Sequence, residues 1–384
     1  MDLAAALRWW QDRLIPRDGR LLSKIECQLF GNKTFSYYLF GVFCACTLSA
    51  ASKDSGLKLL AALRLVVALA CCYGMTLYFA ISSQAVHALF GSTAEVAQDI
   101  FAGGAFRPFE VRDVLRPIFR QSIVVCLYPK ADASKLFKRM RLAYRMAHLY
   151  GISASVSLVL PVILQGKLLL EMWPWFDGEL GVWLGMVLQA ATGYPACVPC
   201  FLGIVITISV SETLRMLCLI VATQLRGAET VFQVQEAARR HAALCALIGK
   251  ARTLLEFPNS ALTFTFLFVP GVSTVLVARG AFDGFCLPSV PYVVIFFTLC
   301  LGGQRLEEAT EELAEAGYAA CGQSPLDREN GLLLLTVIVR ARKPQTLSLF
   351  RKSAVLNMST CASFLQSWYS MLSVLLKMPD QNSV

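Results

Sequence analysis

Leu332-Leu333-Leu334-Leu335-Thr336-Val337-Ile338-Val339 runs straight into Arg340-Ala341-Arg342-Lys343-Pro344, and from Ser353 a mostly apolar segment resumes and reaches Leu376, leaving only eight residues. A chain that closes on such a segment, behind a basic hinge, has to bury it in lipid or in other subunits, because exposed apolar surface is costly in water. Composition decides for lipid. Hydrophobic residues make up 56% of the 384 residues and charged ones only 16%, and the mean hydropathy is +0.57. That charge content is well below that of an average soluble domain. The length suits seven helical spans of about 20 residues each with connecting loops. Repeats and low-complexity tracts are absent, so one membrane domain, 1–384, is the simplest organisation.

Apolar length and flanking charge place the spans at 35–51, 57–83, 142–164, 182–225, 258–278, 291–302 and 355–376. Past Lys58 at its outer edge the second is interrupted only by Arg64, and Ile123 to Tyr128 is too short to cross. The third continues out of the basic stretch Lys135 to Arg141, and Pro258 reads as the start of the fifth. The fold class is therefore all-α, a seven-transmembrane helical bundle.

Charge sets the orientation. With the N-terminus inside, the inner segments collect Arg8, Arg13, Arg17, Arg20, Lys24 and Lys33, then ten Lys and Arg between Arg107 and Arg145, and further basic residues up to Lys352. The outer segments keep only Lys53, Lys58, Lys167, Arg279 and Lys377. Positive charge stays on the cytosolic side, so the N-terminus is expected in the cytosol and the C-terminus outside the cell. Met1 to Phe30 alternates basic residues with Leu3, Leu7, Trp9, Trp10, Leu14 and Ile15. That is the pattern of a membrane-surface helix, and not of a cleavable signal peptide. The sequons at Asn32 and Asn357 are then expected to stay unmodified.

Three cytosolic helices, 233–255, 304–318 and 332–342, form a candidate anchor. In the first, Val234, Ala237, Leu244, Leu247 and Ala251 recur at helical spacing, and it reads as continuous with the fourth span. The second carries Glu307, Glu308, Glu311, Glu312 and Glu315. These glutamates read either as a solvated face or as an assembly surface near Arg340, Arg342 and Lys343.

Catalytic constellations do not emerge. His87, His148 and His241 fall on separate elements, and the fourteen cysteines are scattered. Cys197-Val198-Pro199-Cys200 has redox spacing but lies inside an apolar span without a βαβ setting, and phosphate-cradling glycine loops are missing. An enzyme is not expected, nor is a cofactor or a metal. Glu212 and Arg215, three residues apart, can pair on one helix face. Seven spans do not divide into the like halves of a typical transporter.

Residues 301–378 resemble the C-terminal region of insect odorant receptors. The stretches that carry the likeness are Gly303-Gln304-Arg305-Leu306, Glu308 through Glu312-Leu313-Ala314, Tyr318, the basic hinge, Met358-Ser359-Thr360, Phe364-Leu365-Gln366-Ser367 and Trp368-Tyr369-Ser370. The resemblance implies a ligand-gated, non-selective cation channel in the plasma membrane of olfactory neuron dendrites. An odorant-tuning subunit would assemble there with co-receptor subunits into a heterotetramer, with the last helix lining the pore and the inner helices forming the anchor. Carried onto this chain, the constriction falls on Leu372 and Leu376. Leu375 stands where the co-receptor type has a glutamine, and a long inner insertion of that type is missing; both departures favour a tuning subunit. The implied odorant pocket, in the outer half of the bundle, takes Leu69, Cys72 and Tyr73 from the second span and Ser155, Leu158 and Val159 from the third. Gln189, Tyr194, Cys197 and Phe201 come from the fourth, and Tyr292, Phe296 and Phe297 from the sixth. Such aromatic and small side chains suit a small, neutral, mostly apolar volatile. A homomeric gustatory-type receptor and, further off, a small-molecule transporter are the alternative readings.

Overall fold

The computed structural model describes residues 33–51, 56–102, 178–280, 286–323, 328–343, 346–350 and 353–377, together with part of 145–164. The N-terminal amphipathic segment, the basic stretch 135–141 and Leu158 lie outside the described residues. Eight helices are complete in the description: α1 Lys33–Ala51, α2 Gly56–Ile81, α3 Ser83–Ala102, α4 Glu179–Arg226, α5 Val231–Ala278, α6 Cys286–Gln323, α7 Arg328–Ala341 and α8 Met358–Lys377. The described residues between 145 and 164 are also helical.

Sequence and structure part company over where helices begin. The polar segment after the fourth span is not joined to it. Gly227 ends α4, its N–H donating to the Thr223 carbonyl, and Thr230 opens α5 with a capping box. The Thr230 hydroxyl accepts from Gln233 N at 3.3 Å while Gln233 Oε1 accepts from Thr230 N at 3.2 Å. This reciprocal pair satisfies two of the donors that a helix start leaves open. From there α5 runs unbroken through Pro258 and Pro270, so the expected anchor segment 233–255 and the fifth span are one helix of 48 residues, about 72 Å long. In the same way α6 joins the sixth span to the acidic segment through Gly302 and Gly303. At the other end, Val355 belongs to a small antiparallel hairpin, β1 Ser348–Leu349 with β2 Ala354–Val355, and α8 starts only at Met358.

Helix α3 is absent from the sequence reading because it carries Glu95 and Asp99. Its apolar positions Val86, Leu89, Phe90, Ala97 and Ile100 nevertheless recur at helical spacing, and all of them are buried.

The core is continuous through α2, α4, α5 and α6, with α6 packed most extensively on α4. Polar ties reinforce it. Glu212 pairs with Arg215 at 3.1 Å, as its spacing predicts, and with Arg305 of α6 at 3.5 Å. Glu312 meets Arg226 of α4 at 2.9 Å, so this glutamate of the acidic segment pairs with α4. From that hinge, Arg342 sits over the Tyr318 ring at 5.2 Å. Among the described residues two helical stretches, Gly203–Arg226 and Val231–Ala278, are long and apolar enough to cross a membrane.

Candidate functional site

The expected pocket residues of α2 are all buried: Leu69, Cys72 and Tyr73. Tyr73 stacks on Phe40 of α1 with ring centroids 4.5 Å apart, and its hydroxyl donates to the Thr192 carbonyl of α4 at 3.3 Å. The Thr192 hydroxyl in turn donates to the backbone carbonyl of Gln189 at 3.0 Å, so the residue that Tyr73 reaches lies within one turn of Gln189 on α4. Gln189 is itself fully buried. Phe201 is half-buried against the core. Tyr194 and Cys197 lie in α4, but their side chains are outside the described residues. Ser155 and Val159 are half-buried, and the Ser155 hydroxyl is shielded from solvent without a hydrogen-bond partner among the described residues.

On α6, Tyr292 and Phe296 face inward. Tyr292 packs 5.4 Å from the ring of Phe266 on α5, a helix that the sequence reading left out of the pocket. Phe297 is 47% exposed and turns away, since successive helix residues point about 100° apart. Sequence reasoning also missed the partner of Arg64. Only 1% exposed, Arg64 donates to the Ser273 hydroxyl of α5 at 2.9 Å, tying α2 to α5 inside an apolar bundle. A buried arginine signals such a partner, but nothing in the sequence says which residue it is.

A cavity of about 510 Å³ lies elsewhere, between α5 and α7, lined by Gln235, Arg239, His241, Leu333, Thr336 and Arg340 among others. Arg239 is held by Asp99 at 2.8 Å and by Glu236 at 2.7 Å. Its guanidinium beside Glu236 keeps that carboxyl below the usual carboxylate range. Burial, helped by the charge of Arg340, pushes the His241 imidazole down to about 4, so it is neutral at physiological pH, with Nε2 3.2 Å from the Cys245 thiol. Among the described residues no cluster of three His, Cys, Asp or Glu side chains could hold a metal.

The last helix is less bare than its sequence reads. Ser359, Ser363, Gln366, Ser367 and Ser370 share one exposed face of α8. The Ser363, Ser367 and Ser370 hydroxyls donate back to the carbonyls of Ser359, Ser363 and Gln366 at 2.9–3.1 Å. The opposite face packs inward through Cys361, Leu365 and Trp368, and half-buried Leu372 lies on that side. The apolar residue that continues the serine face is Val374, 59% exposed. Leu375 and Leu376 belong to α8, with side chains outside the described residues.

A long-helix bundle wrapped around one apolar core, with a separate short terminal helix of mixed character, is the fold of the seven-helix insect chemoreceptors. The chain belongs to the 7tm odorant receptor family, whose model matches residues 128–369. This is a family of membrane receptor channels and not of enzymes. The fold is similar to that of the insect olfactory receptor OR5 from Machilis hrabei, with a TM-score of 0.67 at 16% identity over 98% of this chain and 96% of that one. The structure of the same receptor in complex with eugenol gives 0.61 at 15% identity, with the same coverage. Comparison with curated proteins finds no match.

Proposed function

We propose that the chain is the odorant-binding subunit of a heteromeric, ligand-gated, non-selective cation channel, assembled with co-receptor subunits in the plasma membrane. The observation that carries this reading is the serine and glutamine face of α8. Facing lipid, such a row would hold the Gln366 amide and the outward lone pairs of the serine hydroxyls away from water, whereas facing a water-filled axis they are solvated. Because the hydroxyls donate inward, their lone pairs point away from the helix and can help replace the hydration of a passing cation. Val374 then takes the place of Leu372 as the apolar constriction, because Leu372 lies on the face turned to the bundle. Leu376 lies one turn beyond Leu372 on the same side of the helix.

The ligand is a small neutral volatile, and a phenol of the eugenol kind is a reasonable first probe because a receptor of the same fold holds it. The pocket proposed for it is built around Tyr73, Gln189, Tyr292 and Phe296, with the basic flanks of the chain in the cytosol and the C-terminus outside. Ligand contacts that draw the bundle together would be passed through α5 and α6 to α8, which needs only a higher affinity for the open state than for the closed one. Expressing the chain with and without a co-receptor and recording currents to a panel of neutral volatiles tests this reading. Currents that need both chains are expected; full currents from this chain alone would sink the tuning-subunit reading, and none with both would sink the channel reading.

A further inference from the structure

Helix α6 meets the start of α8 along one line. The Phe296 ring lies 6.1 Å from Phe364, edge to face. One turn on, the thiols of Cys300 and Cys361 hydrogen-bond. A further turn brings Gly303 so close to the main chain that a Cβ there would overlap the Leu356 carbonyl. Last comes Glu307, whose Oε2 accepts from Asn357 Nδ2 at 3.2 Å. The spacing of 296, 300, 303 and 307 is that of one helix face.

The final contact differs in kind from the other three. Asn357 is the N-cap of α8: its Oδ1 accepts from Thr360 N at 3.0 Å, and its carbonyl accepts from Cys361 N at 3.0 Å. One amide thus closes the first turn of α8 with its oxygen and grips α6 with its nitrogen. The Glu307 carboxylate also stands at the positive end of the α8 dipole, where a negative charge is favoured. A cap that is simultaneously a tether makes the base of α8 follow α6, where a packing contact alone would let the two helices slide.

We propose that Glu307 is a positioning residue for gating: through Asn357 it locks the first turn of α8 to α6, so that movement of α6 is delivered to the last helix. The proposal rests on the reading of α8 as the pore helix. Glu307 touches neither ligand nor ion and acts only through Asn357. Because Asp caps helices as well as Asn does, N357D keeps the cap and breaks the tether alone, setting carboxylate against carboxylate. In E307Q/N357D the glutamine amide donates to the new carboxylate and restores the tether with donor and acceptor exchanged.

The test records currents in cells that co-express a co-receptor, using the volatile that gives the largest wild-type response in a panel of neutral phenols, esters, alcohols and ketones, with surface biotinylation alongside. N357D is expected to shift the half-maximal concentration or the ligand-free current by about tenfold at wild-type surface level, and E307Q/N357D to return it to within about threefold. If N357D responds like wild type, or if the double variant is no better than N357D, the proposal is overturned while the channel reading stands. If the wild type passes no current, both fall. Should N357D fail to reach the surface, E307A and E307Q decide: the first is expected to shift and the second, which still accepts from Asn357, to hold, and equal responses overturn the proposal.

Discussion

The hydroxyl of Tyr78 on α2 donates to the carbonyl of Leu254 on α5 at 2.7 Å. Leu254 lies four residues before Pro258, which has no N–H to give it, so a side chain from another helix supplies the hydrogen bond that the proline cannot. The Tyr78 ring also packs 4.9 Å from Phe257. This is why α5 passes through Pro258 without ending.

Replacing Tyr78 with Phe keeps the ring and orphans the carbonyl, so we expect a loss of about 1–2 kcal/mol in the thermal unfolding of detergent-solubilised protein. Adding Pro258→Ala restores the N–H and is expected to recover much of that loss. Additive losses in the double variant would show that the two groups are not coupled.

Gly303 and Gly302 make a paired control. Gly303→Ala drives a methyl group into the Leu356 carbonyl, whereas Gly302→Ala meets only the Ser211 Cβ at 4.0 Å, an ordinary contact. The first should cost about 2 kcal/mol or more and lower surface expression, and the second should be close to neutral. Equal stability of the two variants on a melting curve would contradict the packing of α6 against the hairpin end.

His241 makes stability depend on pH. Its folded-state value, about 4, lies below the ordinary histidine value of 6.5, through burial first and Arg340 second. The unfolded chain therefore binds the proton more readily. The stabilisation is fully present above 6.5 and is lost as pH falls from there towards 4, by about 3 kcal/mol at most. Melting temperatures measured from pH 7.5 to 4.5 should fall more steeply for the wild type than for His241→Gln, and parallel curves would refute the assignment.

Cysteine substitution separates the two faces of α8. Val374→Cys, on the serine face, should react with a water-soluble thiol reagent applied to open channels and reduce the current at least severalfold. Leu372→Cys, half-buried towards the bundle, should react far more slowly. Faster reaction at 372 would return the constriction to the leucines.

Several elements were legible in the chain because their signal is local. The helices at 33–51, 56–81 and 179–226 lie within a few residues of the expected apolar runs, since an uninterrupted apolar stretch is its own evidence. The Glu212 and Arg215 pair followed from spacing alone. Where the sequence reading failed, it had applied a sound local rule that distant residues overrode. Pro258 reads as a helix start and 291–302 and 304–318 as separate helices, yet Tyr78 satisfies the carbonyl freed by the proline, and Leu356 fills the space beside Gly303 within one unbroken helix. Helix α3 was hidden by its charges although its buried positions were periodic. In the candidate site, burial of Tyr73 and Tyr292 could be anticipated from type and position, but their partners Thr192 and Phe266 lie 119 and 26 residues away, beyond the reach of any local pattern.

The sequence by itself determined that this is a helical membrane protein and, through its last fifth, which receptors it resembles, because apolar length and local motifs are properties of consecutive residues. Only the tertiary structure decided which face of the closing helix turns inward, that its cap is held by Glu307, and that 231–278 and 286–323 are each one continuous helix. Those features depend on which distant group satisfies a given backbone or side-chain atom, and that is settled only when the helices pack.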